Sequence, residues 1–70
     1  MWAYHNERER AVWLHLPPPY SASLGEAVRV GPGEDLVFDA PGDAWLTVVD
    51  GDGLMLKSGY VWELCAPDVS

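Results

Sequence analysis

Short runs of alternating apolar and polar residues, cut every few positions by Gly, Pro or Asp, constrain this chain more than any other feature. Val12, Leu14 and Leu16 alternate with Trp13 and His15, which is the period of a half-buried strand. Pro17 then removes the next ladder donor and ends the run. Residues 26–30 read as a second strand with Val28 and Val30 on one face, followed by the turn Gly31-Pro32-Gly33-Glu34. Residues 36–40 form a third, with Leu36 and Phe38 opposite Val37 and Asp39.

Beyond Pro41-Gly42-Asp43, residues 44–49 set Leu46 and Val48 against Trp45, Thr47 and Val49. Both faces of that strand are apolar, so it belongs at the centre of a sheet or inside a closed barrel. Asp50-Gly51-Asp52-Gly53 is a hairpin turn in which Gly51 or Gly53 takes a positive φ. Residues 54–57 follow, then a break at Ser58-Gly59. In residues 60–65, Tyr60, Trp62 and Leu64 alternate with Val61, Glu63 and Cys65. Only the first ten residues have room for a short helix, and they serve equally well as an edge strand.

Five or six short strands joined by tight turns predict an all-β fold, a single small β domain over residues 1–70. Strands this short must curl to shield their edges. The expected architecture is a small five- to six-stranded antiparallel barrel, SH3-like or OB-like in shape, with a two-layer β-sandwich or roll as the alternative. Seventy residues bury a small core, and a single cysteine, Cys65, excludes an intrachain disulfide. Aromatic packing by Trp2, Trp13, Trp45 and Trp62 is the expected compensation.

Charge narrows the function. Eleven acidic residues against four basic ones give a formal charge of -7, which argues against direct nucleic-acid binding by phosphate neutralisation. Arg8, Arg10, Arg29 and Lys57 are scattered, whereas Glu34, Asp35, Asp39, Asp43, Asp50 and Asp52 follow one another with no intervening cation. Such a segment attracts a basic surface, and it also keeps a tryptophan-rich chain soluble. The charged run Glu7-Arg8-Glu9-Arg10 stands where a signal peptide would be apolar. With an initial methionine and one unpaired thiol, the expectation is a complete small gene product in the cytoplasm, with no membrane partner.

Motifs for chemistry are weak. Asp50-Gly51-Asp52-Gly53 resembles the head of a calcium loop, but Leu54, Met55 and Val61 occupy positions that need a ligand, a glycine and a glutamate. Cys65, His5 and His15 lack the spacing of a zinc set. A Cys65/His15 dyad is less expected than a buried thiol and a locally bonded imidazole. No catalytic residues, metal or cofactor are therefore expected, and the chain is not read as an enzyme.

Pro17-Pro18-Pro19-Tyr20 matches the pattern that WW domains read, although three prolines also rigidify a loop. These features predict a small acidic interaction module that binds and regulates or inhibits a larger protein with a basic surface, in the manner of a phage-encoded modulator. Asp35, Asp39, Asp43, Asp50 and Asp52 would supply attraction, and Trp13, Trp45 and Tyr20 the anchoring contacts. The alternatives are a structural subunit that forms homo-oligomers through strand edges, as in a virion or shell, and a small-molecule or sugar sensor using the tryptophan face.

Overall fold

The computed structural model describes residues 1–16 and 27–68. Pro17, Tyr20 and the rest of the WW-type motif lie outside the described residues. The chain is all-β, in two antiparallel sheets. Strands β1 (Trp2–His5), β4 (Asp35–Phe38) and β7 (Ala66–Pro67) form one sheet in the order β4-β1-β7. The other is β3-β2-β5-β6, from β2 (Val12–His15), β3 (Val28–Val30), β5 (Trp45–Val49) and β6 (Met55–Tyr60). Among the described residues no ladder joins the two sheets, so barrel closure is not part of what the strand pairings show.

The first residues are a strand, and a central one, since β1 lies between β4 and β7. Alternation places the other strands as expected. Val12, Leu14, Leu46 and Val48 point inward and are buried, with Leu14 directly opposite Val48. The doubly apolar β5 is central, flanked by β2 and β6. A bulge between Val48 and Val49 leaves Leu56 unpaired, and its side chain packs on the core.

One expectation needs correction. Residues 60–65 are not a strand: β6 runs through Ser58-Gly59 to Tyr60, and Val61–Leu64 is a helical turn, α1. The apolar residues that matter are three apart. Val61 is wholly buried and Leu64 packs on the same core, which is helical spacing, while Trp62 and Glu63 face solvent. Glu63 Oε1 accepts the Tyr60 backbone N–H at 3.3 Å, closing the first turn.

Asn6, wholly buried in the charged run that follows β1, joins the sheets. Its side-chain amide donates to the carbonyls of Arg10 (2.9 Å), Val30 (3.0 Å) and Gly31 (3.0 Å). Two N–H groups thus serve three acceptors, one of them shared. Its Oδ1 accepts the Arg8 N–H at 2.9 Å. The Asn6 backbone donates to Glu34 O and accepts from Gly33 N, both at 3.0 Å. One residue therefore fixes the end of β1, the bend into β2 and the β3–β4 turn.

At the β5–β6 hairpin, Asp50 Oδ1 accepts the N–H groups of Asp52 and Leu54, each at 2.9 Å. Gly53 holds φ +83 and donates to Asp50 O.

Replacing Asn6 by Ala removes the four hydrogen bonds of a wholly buried side chain, so the unfolding free energy in a urea titration should fall by about 3 kcal/mol. Asn6→Asp should cost more, because a carboxylate would face those same oxygens. In the hairpin, Gly53→Ala should destabilise by about 1 kcal/mol through its positive φ. Gly51→Ala meets only Trp13, at an ordinary 3.5 Å, and should change stability by less than about 0.5 kcal/mol in the same assay.

Candidate binding face

The outward side chains of the four-stranded sheet follow from the same alternation that buries its inner face. Register places Arg29, Trp13, Val49 and Met55 in one cross-strand row, and His15, Thr47 and Ser58 in the next. The third row is Trp45 opposite Tyr60. A weakly polar strip thus separates two apolar ends.

The third row continues into α1. Trp45 and Tyr60 meet edge to face, with ring centroids 5.3 Å apart and planes at 84°. Tyr60 and Trp62 are nearly parallel, at 6.2 Å and 9°. These are favourable aromatic geometries, yet the rings stay open to solvent: Trp45 is 50%, Tyr60 42% and Trp62 58% exposed. Three contacting rings, each about half exposed, make a contiguous patch of a kind that solvent-facing positions rarely carry without a use.

Backbone bonds hold the trio in place. Val61 N donates to Ala44 O at 2.9 Å and Trp62 N to Gly42 O at 3.0 Å, which pins the start of α1 to the turn leading into β5. The start of that turn is anchored by Trp2, whose indole Nε1 donates to Ala40 O at 2.9 Å. A Cβ on Gly42 would lie 3.0 Å from the Trp2 ring and 3.7 Å from the Trp62 Cβ. Glycine there lets a partly buried and an exposed tryptophan sandwich one peptide.

The residues proposed from sequence are distributed around this face. Trp45 is in the aromatic row at one end, and Asp43 lies in the segment whose neighbours bond to α1. Trp13 is only partly exposed and covers Gly51 at the far end. Asp52 is exposed there, whereas the Asp50 carboxylate is committed to its own turn. Asp35 is on the other sheet, in contact with His5 Nδ1 across the β1–β4 pair, and Asp39 is exposed just past β4. The acidic segment is therefore dispersed in space. Tyr20 lies outside the described residues. Tyr60 and Trp62 are the residues that sequence reasoning missed. Their signal was Val61 and Leu64, whose spacing of three breaks the strand period.

Other chemistry has little to work with. Among the described residues no three His, Cys, Asp or Glu side chains gather as a metal set, and no helix is long and apolar enough to cross a membrane. His15 is on the outer face of β2, while Cys65 packs against the core. Burial pushes the Cys65 thiol up from 9.0 to about 11, the opposite of nucleophile activation. Burial also raises Tyr4, with Arg8 working against it and Cys65 and Glu7 adding to it. Comparison with protein families, curated proteins and solved structures finds no match. The face has to be understood from its own chemistry.

The Cys65 shift is directly measurable. Alkylation near pH 8 should be roughly 100-fold slower in the native protein than in urea, following the thiolate fraction. The fold favours the neutral thiol, so this contribution to stability is complete below pH 9.0 and is lost as pH rises through about 11. The urea midpoint should decline across that window, and less so in Cys65→Ala.

Proposed function

We propose that this protein is a binding module that captures a basic, partly apolar segment of a larger protein on the Trp45–Tyr60–Trp62 face, thereby regulating or inhibiting it. The observation that carries this reading is the contacting, half-exposed aromatic trio on a chain of net charge -7. Tryptophan and tyrosine dominate the energetic centres of interfaces. Their ring faces also attract guanidinium and ammonium groups.

Asp43 at the edge of the trio and the other dispersed carboxylates create a general negative field. A field of this kind accelerates encounter with a cationic partner and is screened by salt. Binding suits the site better than catalysis, since the rings present an open surface with no activated nucleophile or acid–base pair. Action in the cytoplasm, as a modulator of the kind phages encode, is the context in which we place it.

Immobilised intact protein, challenged with a random peptide library, should enrich peptides that combine Arg or Lys with apolar residues. Trp45→Ala and Trp62→Ala should each weaken that binding by at least about tenfold, read by titrating tryptophan fluorescence. Their urea midpoints should stay near wild type. Asp43→Asn should slow association at low salt and leave dissociation little changed. Enrichment of neutral or acidic peptides would sink the reading. Glycan binding with the same tryptophan dependence would replace it with the sugar-sensor alternative, and concentration-dependent self-association abolished by the same substitutions with the shell-subunit one.

A further inference from the structure

Away from the aromatic face, the cations of this acidic chain are not evenly spread. Arg8 and Lys57, two of its four basic residues, border the same open cavity of about 500 Å³. His5 and Tyr4 of β1 and Leu64 of α1 line it as well, and Glu7 is the single carboxylate among the lining residues. A neighbouring cavity of about 410 Å³ shares Arg8 and Glu7 but adds Glu9, Arg10 and Asp50, so there the carboxylates outnumber the cations. In the larger cavity the lining cations outnumber the lining carboxylates, against the trend of the chain.

Two further observations bear on this cavity. Lys57 is paired with the buried Val48, so it sits on the inward-facing register of edge strand β6. Among the described residues, neither Lys57 nor Arg8 is ion-paired, although carboxylates outnumber basic groups by more than two to one. The Arg8 charge reaches the buried Tyr4 strongly enough to oppose the effect of its burial. The volume is typical of a small-molecule site, with apolar walls from Leu64 and Tyr4 beside a guanidinium and an ammonium.

We propose that this cavity binds a small organic oxyanion, a carboxylate or phosphate ester carrying a short apolar body. Arg8 offers its planar fork of donors to two oxygens, and Lys57 supplies a point charge from β6. The Tyr4 ring and Leu64 cover the apolar part. His5, held toward Asp35, adds a polar rim. Glu7 opposes the anion and keeps affinity modest, as suits a reversible ligand.

Amide spectra of the intact protein, titrated with phenyl phosphate, benzoate and phenol, test the assignment. The two anions should shift Ala3, Arg8, Lys57 and Ala66 saturably at millimolar levels or below, and phenol should not. Phenyl phosphate binding tighter than benzoate identifies the ester as the class recognised; the reverse order identifies the carboxylate. Lys57→Met and Arg8→Met should each weaken binding by roughly ten- to a hundred-fold, the worth of one charge-assisted hydrogen bond. Lys57→Arg should retain it, and Trp62→Ala should leave it unchanged, which separates this site from the aromatic face. Shifts that centre on Arg29, or survive both methionine substitutions, would overturn the proposal. So would the absence of anion shifts together with self-association of Lys57→Met in sedimentation, which would make Lys57 only a guard against edge pairing.

Discussion

The architecture depends on a single side chain that is neither apolar nor charged. A small pair of sheets has many ways to slide, because hydrophobic contact is non-directional. The Asn6 amide removes that freedom. It reaches the bend at Arg10 and the β3–β4 turn at Val30 and Gly31 while its own backbone pairs with Gly33 and Glu34. Every polar atom of the residue is used, in a site with no access to water, so any displacement of one sheet against the other would leave several groups unsatisfied at once. The apolar core makes the chain collapse; Asn6 decides the one arrangement into which it collapses.

Upon that joint the protein builds two surfaces of opposite character. The outer face of the four-stranded sheet carries the aromatic row, set in place by Trp2 from beneath and by α1 from the side. Beside the three-stranded sheet, Arg8 and Lys57 border a cavity with little carboxylate around it. Arg8 is fixed through its backbone by Asn6, so the joint that aligns the sheets also positions one of the two cations that line this cavity. The functions proposed for the two surfaces rest on separate residues. Loss of one need not disturb the other.

Much of this fold was legible because strand alternation is a local property. Leu14, Leu46 and Val48 announce their inward face within a few residues, and the doubly apolar β5 correctly implied a central strand. The Asp50 hairpin was equally plain, down to a glycine at positive φ. What escaped was non-local. Asn6 sits in a run of charged residues that reads as solvated loop, and nothing nearby foretells three carbonyls arriving from elsewhere. The period from Tyr60 to Cys65 satisfies a strand in isolation, and the choice of α1 is made by Val61 and Leu64 finding the core together. Because Tyr60 and Trp62 were assigned to one strand with Leu64, their alignment with Trp45 could not be seen, and the acidic run looked like a patch when folding scatters it.

The position of β1 in its sheet has a consequence for how the molecule is made. The partners of this strand begin only at Asp35 and Ala66, far along the chain from Trp2. Its exposed ladder groups must wait for partners from the middle and the far end of the sequence, and pairing so distant closes slowly. During that wait Trp2 and Tyr4, two of the four aromatic residues among the first twenty, are unsheltered. Until Ala66 is available the apolar side chains of β1 therefore lack their full cover, and the charged run from Glu7 to Arg10 just behind them is well placed to keep that strand in solution.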